Sequence, residues 1–167
     1  MGKGDLILVI GGLLLLSMFT LSINSSITEN RKTLYSSESV LNALALAEKY
    51  IEEAEALRFD EKKSATIPSS FTNPSRLGPD DNEYYPNFDD IDDFNYFTYT
   101  DTSSGNVPYT IQIRVFYTTL SNPDQISTSR TYFKRMVVNI SSPFMKKIND
   151  KTITLKKLFA YHYFYSE

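Results

Sequence analysis

Eighteen consecutive residues without a charge, Leu6 to Ile23 (LILVIGGLLLLSMFTLSI), constrain this chain more than any other feature. A helix needs about 20 apolar residues to cross the hydrocarbon core of a bilayer, and this run reaches that length. The competing reading is a cleaved secretory signal, whose apolar core spans about 7 to 15 residues before a small-x-small cleavage site. Ser22-Ile23-Asn24 and Asn24-Ser25-Ser26 are weak versions of that site. A retained anchor is preferred, because the helical pattern continues where a signal peptide would end. Glycines are tolerated in membrane helices and let a second helix approach closely. Leu6, Gly11, Gly12 and Leu16 are therefore the candidate contacts for assembly within the membrane.

After a polar stretch, Asn24 to Lys32, apolar residues recur at Leu34, Leu41, Leu44, Ala47, Ile51, Ala54 and Leu57, mostly three or four apart. That spacing predicts an amphipathic helix continuing the first to about residue 60, with Glu38, Glu48, Lys49, Glu52, Glu53 and Glu55 on its wet side. No Pro or Gly interrupts residues 13 to 67. Leu41, Leu44, Ile51 and Leu57 are the residues expected to pack against the rest of the chain. The helix should end near Phe59 to Lys63, before Pro68, with loop over 64–87.

The remainder changes character. Of the 23 aromatic rings, 18 lie between Tyr84 and Tyr165. Phe94 to Thr100, Tyr109 to Thr118, Thr128 to Ser141 and Lys151 to Tyr165 read as strands, separated by Ser103-Ser104-Gly105-Asn106, Ser121-Asn122-Pro123-Asp124 and Ile148-Asn149-Asp150. Tyr109, Ile111, Ile113, Val115 and Tyr117 alternate with Thr110, Gln112 and Arg114, so one face of that strand is buried. The expected fold is α+β: a long N-terminal α-helix, transmembrane and then amphipathic, packed on an antiparallel β-sheet of about four strands. The corresponding segments are a short leader or flank (1–5), a membrane helix (6–23), the amphipathic continuation (24–60) and a β-rich head (61–167).

Chemistry starts with few parts. The chain has no Cys and one His, His162, so thiolate nucleophiles, Cys-based metal sites, two-His metal sites and most Ser/His catalytic schemes drop out. No enzymatic activity is expected. A formal net charge of −3 gives no electrostatic footprint for nucleic acid. Asp80, Asp81, Glu83, Asp89, Asp90, Asp92 and Asp93 place seven acids and no base within fourteen residues. Such a run is read as a solvated or partner-facing acidic loop over 80–93. Asp89, Asp90, Asp92 and Asp93 are also a candidate calcium set, since Ca²⁺ takes six to eight oxygen ligands, although the spacing is not that of an EF-hand. Calcium there predicts a melting temperature that falls when a chelator is added; no other cofactor is expected. Arg130, Lys134, Arg135, Lys146, Lys147, Lys151, Lys156 and Lys157 oppose that loop in sign, which implies charge pairing either across the sheet or between subunits.

A leader with one Lys ending in Gly4, a long apolar helix turning amphipathic, and then strands resembles the type IV pilin and type II secretion pseudopilin superfamily. Leu44-Ala-Leu-Ala-Glu-Lys-Tyr-Ile-Glu-Glu-Ala-Glu-Ala-Leu-Arg-Phe-Asp60 is similar to the end of the long helix in minor members. Asn87-Phe-Asp-Asp-Ile-Asp-Asp-Phe-Asn95 is similar to the segment that opens their β region, and Phe133-Lys-Arg-Met-Val-Val-Asn-Ile140 with Ile153-Thr-Leu155 to their last strand pair. The resemblance implies a single-pass subunit of the bacterial inner membrane, N-terminus cytoplasmic and head periplasmic, whose partners are other pilin or pseudopilin subunits. It implies cleavage by a prepilin peptidase between Gly4 and Asp5. The fifth residue of the mature chain would then be Val9, where the family usually has a Glu that neutralises a neighbour's N-terminal amine. Some minor subunits of the family, especially those at filament tips, lack that Glu, since a tip subunit has no neighbour ahead of it to pair with. Otherwise Met1 to Gly4 is retained and Lys3 is a cytoplasmic flank. A second function class stays open at this point: a signal-anchored periplasmic module that binds glycan or peptide through exposed Tyr and Phe.

Overall fold

A computed structural model describes residues 2–61, 67–102, 107–145 and 152–161. The described elements are one helix, α1 (Lys3–Glu55), and four strands: β1 (Thr98–Asp101), β2 (Tyr109–Tyr117), β3 (Phe133–Ser141) and β4 (Thr152–Ala160). The chain divides into two units, Met1–Glu38 and Ser39–Glu167.

In the first unit, α1 exposes its apolar side chains all round, from Leu6 through Ile23. Two of its hydroxyls are satisfied locally: those of Ser17 and Thr20 each donate at 2.8 Å to the carbonyl four residues earlier. A hydroxyl bonded inside its own helix exposes no open hydrogen-bonding group to an apolar medium. At the start, the Asp5 carboxylate accepts the Gly2 N–H at 2.9 Å, where a negative charge complements the helix dipole.

The second unit is an antiparallel meander in the order β1-β2-β3-β4, with the last part of α1 against it. Ile111 stands opposite Ile140, Ile113 opposite Val138 and Val115 opposite Met136, so alternate residues of β2 and β3 build one apolar face. On β2 the buried set is Tyr109, Ile111, Ile113, Val115 and Tyr117, as the alternation in the sequence requires. The helix contributes Ala43, Ala47, Tyr50, Ile51 and Ala54 to the same core, and Phe88, Ile91 and Phe94 join it from the segment before β1. The α+β arrangement expected from the order of helical and strand patterns is what the chain adopts.

The helix face needs correcting. Ile51 is buried and Leu44 and Leu57 are partly buried, but Leu41 is 65% exposed. A helix turns about 100° per residue, and Ala43, Ala47, Tyr50 and Ala54 fall on one line, with Leu41 on the far side. The three alanines bring the helix backbone close to the sheet and Tyr50 fills the space beside them, so size complementarity overrides the longer leucine stripe. The helix also ends at Glu55, earlier than expected, because the next backbone groups pair elsewhere. Arg58 N–H donates to the Asp89 carbonyl at 3.3 Å, and Ile91 N–H donates to the Arg58 carbonyl at 2.9 Å. β1 begins at Thr98 instead of Phe94, since Asp92–Phe94 forms a 3-10 turn and Tyr96 takes a positive φ of 65°. Ser103 to Asn106, Lys146 to Lys151 and His162 to Tyr165 lie outside the described residues.

Replacing Ala47 by Leu should destabilise the protein by about 1 to 3 kcal/mol through overpacking. Leu41→Ser should stay within about 0.5 kcal/mol of the parent. Urea denaturation of the full chain in detergent, followed by circular dichroism, measures both.

Candidate functional site: a buried lysine among carboxylates

β3 alternates strictly, and its inward positions are Lys134, Met136, Val138 and Ile140. Lys134 thus carries an ammonium group into the end of the core, where its side chain has 0% exposure. An ammonium offers three N–H donors, and a buried one must place them all. Here they go to Asp60 Oδ2 at 3.2 Å, to Asp92 Oδ1 and to the Phe59 carbonyl. The rings of Phe59 and Tyr117 lie 4.7 and 5.4 Å from the nitrogen, adding cation–π attraction and excluding water.

Each carboxylate is fixed by its own segment. Asp60, just beyond α1, accepts Thr72 N–H at 2.9 Å and the Thr72 hydroxyl at 3.2 Å. The Tyr117 hydroxyl, at the end of β2, lies 3.0 Å from both Asp60 Oδ2 and the Thr72 carbonyl. Asp92 begins the 3-10 turn, and its N–H donates to Asp90 Oδ1 at 2.7 Å. Asp93 Oδ2 accepts the N–H groups of Asp89 and Asp90 at 3.0 Å each. Asn95 ties this segment to its surroundings, accepting Val115 N–H at 3.0 Å and donating to the Leu77 carbonyl at 2.9 Å.

Burial governs the titration of these groups. It is the largest cause holding Asp90 up at about 9, and the neighbouring charge of Asp92 adds to it while Lys134 opposes it. Burial also lifts Asp93 to about 7, against the stabilising N–H of Asp90 and with the Glu83 charge pushing the same way. The Tyr117 hydroxyl is pushed up by burial and by Asp60.

The acidic run divides in two: Asp80, Asp81 and Asp89 are exposed and Glu83 is half-buried, as in a solvated loop, but Asp90, Asp92 and Asp93 are buried, so only Asp89 of the four candidate calcium ligands is exposed. Nor do the four act as one oxygen set. Asp92 is engaged with Lys134 and Asp89 with Arg58, while the oxygens of Asp89 and Asp93 lie within 4.8 Å of Glu83, and those of Asp89 and Asp90 within 4.8 Å of Glu61. The desolvation that a buried strand–turn junction imposes sorts them by partner. Of the basic residues, Lys134 meets the acidic run, at Asp92, whereas Arg135 and Lys156 meet Asp124 Oδ1 at 2.6 and 3.0 Å and Lys157 meets Glu55, both outside that run. Lys146, Lys147, Lys151 and His162 lie outside the described residues. In the first unit Gly4, Asp5, Leu6, Gly12 and Leu16 are exposed and Gly11 is half-buried, with no side chain crowding either glycine of the pair. Among the rings, Phe88, Phe94, Tyr109, Tyr117 and Phe159 are buried. Tyr84, Tyr96 and Phe144 are exposed, and the Arg114 guanidinium covers Tyr96 at 4.2 Å.

Sequence reasoning grouped Lys134 with surface bases and passed over Asp60. The available signal was the strand period: Lys134 has the same parity as Met136, Val138 and Ile140. The chain matches no protein-family model, and neither a curated protein nor a solved structure matches it.

Lys134→Met should cost about 3 to 5 kcal/mol, because it leaves Asp60 and Asp92 buried without their cation. Chemical denaturation measures the loss. For Asp90 and Asp93 the folded value lies above the unfolded one, so their contribution is fully present below the ordinary carboxylate range and is lost as pH rises through about 7 and then about 9. Asp93→Asn should flatten the decline of melting temperature between about pH 4 and 7, measured by scanning calorimetry.

Proposed function

We propose that the chain is a membrane-anchored minor pilin or pseudopilin, a non-enzymatic structural subunit of a type IV pilus or type II secretion pseudopilus. The observation that carries the reading is α1 itself. One uninterrupted helix is apolar and exposed around its whole circumference over Leu6 to Ile23, and further on buries a face of alanines and Tyr50 in a four-stranded antiparallel sheet. By length and composition the first part is a helix that can cross a membrane, and none of its most apolar stretch is buried within the chain.

The apolar segment has two successive environments in this mechanism, lipid before assembly and the helices of other subunits afterwards. The Gly11-Gly12 pair, with nothing against it in the chain, offers a place for a neighbouring helix to approach. A head-to-tail contact of this kind builds open filaments instead of closed rings. Cleavage after Gly4 would start the mature chain at Asp5 and put Val9 at the fifth position, which suits a subunit with no neighbour ahead of it. Retention of the leader would leave the Asp5 carboxylate on the Gly2 N–H.

Mass spectrometry of the protein from hosts with and without a prepilin peptidase tests this. The expected N-terminus is Asp5 with the enzyme and Met1 without it. Met1 in both hosts would remove the processing step and favour an anchored periplasmic binding module. Because the chain has no Cys, Leu16→Cys also reports directly on assembly: it should form cross-linked species only when partner subunits carrying a matched Cys are present.

A further inference from the structure

Lys134 and Asp92 meet three requirements for an amide bond between side chains. The amine and the carboxylate are in direct contact, and their side chains have 0% and 3% exposure. Phe59 and Tyr117 cover the nitrogen and keep water from competing. Groups that can move protons stand on both sides, Asp60 Oδ2 at 3.2 Å from the amine and the Asp90 carboxyl, which accepts the Asp92 N–H at 2.7 Å. Among the described residues, the other ion pair with both partners buried is Lys134 with Asp60, whereas Arg58 with Asp89, Arg135 with Asp124 and Lys157 with Glu55 each have a partner open to solvent.

We propose that Lys134 Nζ condenses with the Asp92 carboxyl carbon to form an intramolecular amide, covalently joining β3 to the turn before β1. In water the ammonium–carboxylate pair resists condensation because both ions are well solvated. Here the rings of Phe59 and Tyr117 take the place of that solvent around the pair. A desolvated lysine amine is a competent nucleophile, and fixed contact replaces a bimolecular encounter. Asp60 takes a proton from Nζ and Asp90, held protonated by its burial, gives one to the departing oxygen. The N–C bond forms and one C–O bond of Asp92 breaks. Two protons of the ammonium leave with that oxygen as water, and Asp60 and Asp90 end as they began. No oxidant or other reactant is consumed.

Asp92 is the acceptor and Asp60 is not, because the Thr72 N–H, the Thr72 hydroxyl and the Tyr117 hydroxyl already occupy the Asp60 oxygens and fix that carboxylate in place. The link closes 42 residues of a chain that has no cysteine, and it is insensitive to reductants. It is independent of whether the chain assembles into a filament.

The test is the mass of the full chain, purified in detergent and then denatured, followed by protease digestion and tandem mass spectrometry. The expected result is a deficit of one water, carried by a branched peptide that joins residue 134 to residue 92. Asp92→Asn should give the same branched peptide by expelling ammonia. Lys134→Arg should keep its full sequence mass. The wild-type measurement needs no variant to fold. A full wild-type mass overturns the proposal, and so does a water deficit without the branched peptide, as an aspartyl succinimide would give.

Discussion

As it folds, and before any bond between Lys134 and Asp92 forms, the second unit is organised around the need to compensate one ammonium ion inside a small apolar core. Leaving a lysine charge unpaired away from water costs several kcal/mol, a sizeable share of the roughly 5 to 15 kcal/mol by which domains are stable. The segments that answer Lys134 are therefore not free to wander. Asp60 must stay just past the helix, Asp92 must stay at the head of its turn, and Tyr117 and Thr72 must close over Asp60. Three pieces far apart in sequence, the end of α1, the acidic segment and the start of β3, are held to a common point. Electrostatics here supplies specificity of arrangement, with the hydrophobic face of the sheet supplying most of the driving force.

The helix meets a different constraint at each end. Toward the N-terminus its side chains are apolar without direction, and its Ser and Thr hydroxyls turn back onto its own carbonyls. Toward the C-terminus the same helix becomes directional, and its contacting residues shrink to alanine. Small residues are weak in burial area but let the backbone lie close to the strands, where many dispersion contacts accumulate. On the proposed reading, one helix thus serves a bundle with its first part and a head with its last.

Much of the architecture was legible in the residues. The charge-free run, the helical spacing that follows and the alternation of Tyr109 to Tyr117 each reflect one local rule, a helix period or a strand period meeting a buried surface. What was not legible depends on contacts distant in the chain. Leu41 fits a helical stripe as well as Ala43 does, and only the shape of the opposing sheet selects the alanines. Asp90, Asp92 and Asp93 look like solvated charge until a cation and a backbone from elsewhere reach them. The early end of α1 at Glu55 has the same origin, because the carbonyl and N–H of Arg58 are claimed by residues 89 and 91. The site was the least legible part, since a lysine in a strand is ordinarily a surface residue and its inward parity is one letter in a pattern of eight.

The order of strands leaves β4 at one margin of the sheet, with Lys156 and Lys157 at its middle. An open margin is a template for any other strand, and identical heads brought close together would be the nearest candidates. Two such margins aligned antiparallel would set lysines against lysines at the centre of the contact, which opposes pairing. Pairing of β4 with its own copy is thus disfavoured however densely the molecules are crowded, and the margin at β1 is the shorter of the two, with four residues against nine.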